Sequence, residues 1–250
     1  MYKSWIYITE PIGNNEFSYS ERIALWSVGK IFVPNLIRGS LSDLEWGSEI
    51  SFEEVMNGKI ISCTWLKNFV HMTYKGVPTY IFDNHNHALF FRYRHTKQLM
   101  APLRKGDERG FISEDMKPFA VIHIDQHADT KENKNSFNAK YASHQEVLNF
   151  TNCACNVGNF ITSAKDAGII DEVIQIRTDY ALHNMQDLDF QKYNYILDID
   201  VDFWVKKEVT SQDIEIIQKL IKNSCLITIA TSPYFIDQKE AIEIIKKILQ

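Results

Sequence analysis

The sequence predicts an α/β fold built on a largely parallel sheet covered by helices, and three observations carry that reading. Between residues 79 and 250 short apolar runs alternate with segments of helical periodicity, the pattern of a parallel sheet with crossover helices. The runs Phe119 to Ile124 and Tyr195 to Ile199 are apolar apart from His123 and Asp198, as expected of strands buried on both faces. At least three of the runs empty directly into acids and imidazoles, which is where open α/β sheets place ligand-binding groups.

In chain order, Trp5–Thr9 reads as a strand, 11–15 as a loop and 20–28 as a short helix. Ile60–Trp65 and Phe69–Tyr74 read as strands separated from the next by the turn signal Lys75-Gly-Val-Pro78. His71 alternates with apolar neighbours and reads as a packed strand histidine. Residues 1–75 thus form a β-rich N-terminal elaboration, and 1–250 are expected to make a single domain. Thr79–Phe82 is a strand ending in Asp83-Asn-His-Asn-His87, with a helix from Ala88. Residues 105–117 are polar and read as a loop. After the strand at 119–125, residues 130–143 form a second loop, and Ser143 followed by Glu146 makes a capping box for a helix from Gln145 to Phe150. A helix over 157–167 stops at Gly168. Then come a strand over 172–176, the acid-bearing strand from Tyr193, a helix over 211–223, a strand over 225–230 and a last amphipathic helix over 237–249.

Composition narrows the function classes. The chain has 250 residues, 45% hydrophobic and 24% charged, which is ordinary for a globular protein. A net charge of −5 offers no electrostatic footprint for nucleic acid. No stretch reaches the roughly 18 apolar residues of a membrane span, and the first residues lack the apolar core of a signal peptide, so a cytoplasmic location is the expectation. Four cysteines do not make a disulfide framework in a chain of this length, and Cys153-Ala-Cys155 lacks a partner pair at zinc-finger spacing.

The chemistry concentrates at two strand ends. Residues two apart in an extended chain point to the same side, so Asp125, His127 and Asp129 can converge, and so can Asp198, Asp200 and Asp202. Five buried carboxylates repel one another unless a cation sits among them. Imidazole and carboxylate without thiolate suit a hard-to-borderline divalent ion such as Mn²⁺. The donors suffice for two ions, and two ions about 3.5–4 Å apart acidify a shared water towards neutrality.

Asp125-Gln-His-Ala-Asp129 and Asp198-Ile-Asp-Val-Asp202, with His85 upstream, resemble the arginase/ureohydrolase superfamily. Asp83-Asn-His-Asn-His-Ala-Leu89 and Leu197-Asp-Ile-Asp-Val-Asp-Phe203 resemble its peptide-arginase branch, and the likeness runs from about residue 79 to 232. The resemblance implies an arginase-like three-layer α/β/α fold and a dimanganese hydrolase that converts arginine residues of a precursor peptide to ornithine, releasing urea. It implies His85, Asp125, His127, Asp129, Asp200 and Asp202 as metal ligands, with Asp125 and Asp200 bridging. Asp198 falls where the superfamily has serine; a register using Asp198 with Asp200 stays open, as does His87 in place of His85. Asp129 is expected to accept a hydrogen bond from the attacking water and His144 to shuttle a proton to the departing amine.

The chain departs from arginases at the upstream histidine and at Thr130-Lys-Glu-Asn, where the residues holding a free amino acid's carboxylate are not matched. That departure suits an arginine inside a peptide. Glu208 and Asp213 lie where a guanidinium-binding acid would be sought, and both read as helix-start acids. Two rival readings keep the residues but change the function. One is a single-zinc deacylase using Asp125, His127 and one later aspartate; the other is a non-enzymatic module stapled by metal.

Overall fold

Side chains alternate across the buried strands, and that alternation divides the core into two apolar layers. Ile122, Ile124, Leu197, Ile199, Ile227 and Ile229 pack on one face of the sheet against Ile217, Leu220 and Ile245 of two helices. Phe119, Val121, Ile196 and Leu226 pack on the other face against Phe90, Val147 and Phe160 of three more. Each such side chain removed from water contributes about 1.5–3 kcal/mol. The result is a three-layer α/β/α arrangement with an additional β-rich N-terminal region. The computed structural model describes residues 2–100, 117–185 and 188–250, so all but the last residue of the loop expected over 105–117 lies outside the described residues.

The elements are β1 (Ile6–Ile8), α1 (Tyr19–Ala24), β2 (Ile31–Val33), β3 (Leu36–Arg38), β4 (Trp46–Met56), β5 (Lys59–Leu66), β6 (Phe69–Tyr74) and β7 (Val77–Phe82). They continue as α2 (Ala88–Met100), β8 (Phe119–Ile124), α3 (His144–Cys153), α4 (Phe160–Asp166), β9 (Glu172–Ile176) and α5 (Asp179–His183). The chain ends with β10 (Asn194–Asp200), α6 (Ser211–Lys222), β11 (Ser224–Ala230) and α7 (Gln238–Ile248). The central sheet has seven strands in the order β3-β6-β7-β11-β10-β8-β9, and every neighbouring pair is parallel except β6 with β7. β7, β11, β10 and β8 are therefore parallel neighbours, and their carboxyl ends share one rim.

The helix starts follow local chemistry. The box predicted at Ser143 and Glu146 is formed, and Thr210 with Asp213 makes a second one at α6. β2, β3 and α5 were not expected from the sequence, and two further differences bear on the site. The acid-bearing strand stops at Asp200, and Asp202 sits on a 3₁₀ turn over Val201–Trp204 that the Asp200 side chain caps. β4, which sequence periodicity missed, pairs with β5 in a long hairpin whose corner, Asn57-Gly58, has φ of 52° and 72°. Both corner residues are left-handed, as a two-residue hairpin turn requires.

The hairpin is tied to the N-terminal segment through a buried ion pair. Arg22 Nη1 lies 2.8 Å from Glu53 Oε2, and Arg22 also donates to the Asn15 and Phe17 carbonyls. Ser27 and Ser62 donate to the same glutamate. Glu53→Ala leaves a guanidinium buried without its counter-charge and is expected to cost about 3–5 kcal/mol, read as a lower urea midpoint.

Candidate metal centre

Four strand ends build the site. β7 runs into Asp83 and a 3₁₀ turn, His85–His87, which asparagines hold in place. Asn84 Nδ2 donates to the Ser51 carbonyl of β4, and Asn86 bonds both Asn14 and the Thr151 carbonyl. The turn aims His85 into the rim and sends His87 the other way, where its Nδ1 lies 2.7 Å from the Tyr2 hydroxyl and its ring packs on Phe69. β8 runs into Asp125, His127 and Asp129. That loop is anchored by Gln175, which donates to the Ala128 carbonyl, and by Arg177, which donates twice to that of Gln126. Asp129 is held at φ 51° and Ser232, just past β11, at φ 42°. Non-glycine residues occupy that region only when their surroundings enforce it, and such positions cluster at functional sites.

The side chains gather in two overlapping sets. Around His85 Nδ1 lie Asp125 Oδ2 at 3.1 Å, Asp200 Oδ2 at 3.1 Å and Asp129 Oδ2 at 3.5 Å. Around His127 Nδ1 lie Asp202 Oδ2 at 3.0 Å and Asp125 Oδ1 at 3.3 Å. Asp125 thus gives one oxygen to each set. Ser232 donates to Asp200 Oδ2, and the Asp202 amide donates to its Oδ1 at 3.0 Å. These His and Asp clusters are positioned to chelate metal ions, consistent with a binuclear metal-dependent hydrolase.

Asp198 lies behind this cluster. β-sheet register places it between His123 of β8 and Thr228 of β11. Its Oδ2 lies 2.7 Å from His123 Nδ1, 2.9 Å from His85 Nε2 and 2.5 Å from Arg92 Nη2, and Thr228 donates to Oδ1 at 2.5 Å. His85, His123 and Asp198 also have chelating geometry, but the Arg92 guanidinium already supplies the positive charge there. A metal ion would sit against it. Asp198 instead holds one nitrogen of His85 so that the other faces the shared carboxylates, an arrangement common behind metal-bound histidines. Asp198→Asn is expected to lower metal affinity about 10–100-fold, measured by titration calorimetry; complete loss of binding would put Asp198 in the ligand set itself.

Charge in the cluster is unbalanced. Burial and then Asp125 push Asp129 up to about 9, and burial and then Asp200 push Asp202 up to about 7. Burial and Asp125 raise Asp200 as well. Burial acts the same way on Asp125, but hydrogen bonds from His127 and His85 outweigh it and hold its carboxyl low. Hydrogen bonds to Asp125 and Asp202 lift His127 to about 10. Both oxygens of Asp202 are buried yet lack a hydrogen-bond partner of good geometry among the described residues. A donor set that must retain protons near neutrality, with converging unsatisfied oxygens, fits a pair of divalent cations.

The cluster forms the floor of a cavity of about 470 Å³. His85, His127, Asp129 and Asp200 line it from the rim, Lys131 and Arg177 from the loops after β8 and β9, and Phe17, Phe52 and Glu54 from the N-terminal region. That last contribution was absent from the sequence reading.

His144 is not brought together with the cluster. The structure makes it the first residue of α3, exposed, with its ring against Tyr93 at 5.5 Å, and it does not line the cavity. Position 144 is fixed by the capping box, which uses Ser143 and Glu146 and turns the histidine towards α2. Asp213 is the helix-start acid expected, completing the capping box of α6, and it is buried and takes hydrogen bonds from His183 and Trp204. His71 stacks on Tyr80 as a strand histidine should. Sequence reasoning missed His123, Arg92 and Ser232. His123 continues the period-two series of Asp125, His127 and Asp129 one step back, Arg92 is a charge inside an apolar helix start, and Ser232 follows a strand end. No family model matches the chain, and no curated protein matches it.

Proposed function

We propose that the chain is a dimanganese hydrolase that converts arginine residues of a peptide to ornithine and urea. The observation that supports it best is the sharing of Asp125 between the His85 and His127 sets, each completed by further aspartates from neighbouring strands. In this reading His85, Asp125, Asp129 and Asp200 hold one ion and Asp125, His127, Asp200 and Asp202 the other. Bound there, two divalent ions supply a nucleophilic water at neutral pH. Asp129, at the cavity floor, would accept a hydrogen bond from the attacking water and aim it at the guanidinium carbon. Ser232 fixes the Asp200 carboxylate, and Phe235, whose ring packs on His127 at 4.4 Å, shields the reacting group from bulk solvent. With His144 away from the cavity, the proton for the leaving amine is assigned to no side chain.

The peptide substrate rests on the unmatched carboxylate clamp and on a cavity walled by the N-terminal region; a cytoplasmic location belongs to the same proposal. Among the described residues no helix is long and apolar enough to cross a membrane.

Mn²⁺-loaded protein offered arginine-containing peptides is expected to release urea and to remove CN₂H₂ from each converted residue, with free arginine a poor substrate. Urea from free arginine alone would overturn the peptide assignment. A single equivalent of zinc, with amide cleavage and no urea, would favour the deacylase.

A further inference from the structure

The cavity wall that the N-terminal region contributes has a chemistry of its own. Ring contacts run in series from His127 to Phe235 at 4.4 Å, to Tyr234 at 5.0 Å, to Phe52 at 5.3 Å and to Phe17 at 5.2 Å. Glu54 stands two residues beyond Phe52 on β4, on the same side of the strand, and lines the cavity with these rings. Apart from Asp129 and Asp200 of the cluster, it is the only carboxylate that does so among the described residues. Its Oε1 is held by the Ser18 hydroxyl and by the Val55 amide at 3.0 Å. Oε2 has no hydrogen-bond or ion-pair partner among the described residues. Among the described residues Glu54 has no hydrogen bond or ion pair with the cluster, and the two basic residues of the cavity, Lys131 and Arg177, come from other loops. A half-exposed carboxylate with one fixed and one free oxygen, flanked by aromatic faces, is complementary to an organic cation.

We propose that Glu54, with Phe17, Phe52 and Tyr234, forms a subsite for a second basic side chain of the substrate peptide, one that flanks the arginine undergoing hydrolysis. The inference rests on the peptide-hydrolase reading above. It makes Glu54 a specificity-determining residue that selects peptides by the charge beside the reacting position. The alkyl stem of lysine or arginine lies along the rings, and its charged head meets Oε2.

Three matched peptides test it, each with one central arginine and with lysine, glutamine or glutamate at a single flanking position scanned along the chain. Wild type is expected to bind and convert the lysine peptide about tenfold better than the glutamine peptide at one position, in line with a partly desolvated cation–π and charge contact. Glu54→Gln keeps the shape and the Ser18 contact and is expected to collapse that ratio to about one. Glu54→Lys is expected to invert it in favour of the glutamate peptide. A wild-type preference that survives in Glu54→Gln, or no preference at any position, overturns the subsite. Equilibrium binding of the same peptides, read by calorimetry, decides the point without turnover. If peptides bind with the predicted charge preference but no urea appears, the hydrolase reading fails and the subsite stands.

Discussion

Asp125→Asn is expected to abolish both metal binding and turnover while leaving the chain folded. Asp125 is fully buried and offers one oxygen to the His85 set and the other to the His127 set. Replacing one oxygen by an amide nitrogen removes an anionic ligand from one set and a unit of charge from both. Loss of an outer-sphere partner already costs about 10–100-fold in affinity, so loss of a shared ligand should cost more than about 100-fold. Turnover should fall by about a thousandfold or more, the scale set by several kcal/mol of lost metal-ion stabilisation. Elemental analysis of the purified variant, with near-ultraviolet dichroism as the folding control, reads the result. A variant that keeps two ions per chain would show that the sets do not share this residue.

The second large effect is the pH dependence of the metal-free chain. Asp129 and Asp202 are raised from the ordinary carboxylate value of 3.8 to about 9 and about 7, and His127 is raised from 6.5 to about 10. A group whose folded pKa lies above its unfolded one binds its proton more tightly in the native state. Its stabilisation is complete below the unfolded pKa and is lost as pH rises through the folded one. All three shifts have the same sign, so metal-free protein should lose thermal stability steadily between about pH 4 and pH 10. Asp125 is lowered and acts oppositely, but only as pH falls towards and below 3.8. Divalent cations take the place of those protons, so saturating Mn²⁺ should raise the melting temperature at pH 8 far more than at pH 5. Equal shifts at the two pH values would mean that the carboxylates do not converge on a cation.

Much of the sheet and of the rim was legible because two periodicities agree there. The strands over 119–124 and 224–230 are apolar on both faces apart from His123, Ser224 and Thr228, and after the first of them the acids begin where the apolar run ends. What escaped was set by contacts between segments remote in sequence. β4 reads Trp46-Gly-Ser-Glu-Ile-Ser-Phe-Glu-Glu-Val-Met56, polar enough to pass for a loop, and only pairing with β5 makes it a strand. The left-handed corner Asn57-Gly58 was the local sign of that hairpin. Arg92 and Asp198 illustrate the same limit. Nothing near either residue announces a partner 106 positions away, yet their ion pair decides which face of His85 meets the shared carboxylates. His144 shows the opposite case: the resemblance in spacing singled it out, whereas its position in the structure follows from a local cap.

The N-terminal region also supplies two strands of the central sheet, since β6 lies between β3 and β7. A chain shortened to start after residue 75 would therefore strip β7 of its neighbour and lay open its peptide groups, an invitation to pair with another molecule. Such a truncation should precipitate or self-associate rather than yield a smaller working catalyst. For anyone seeking to alter what the cavity accepts, exchanging the cavity-facing β4 side chains Phe52 and Glu54 in place is the workable route.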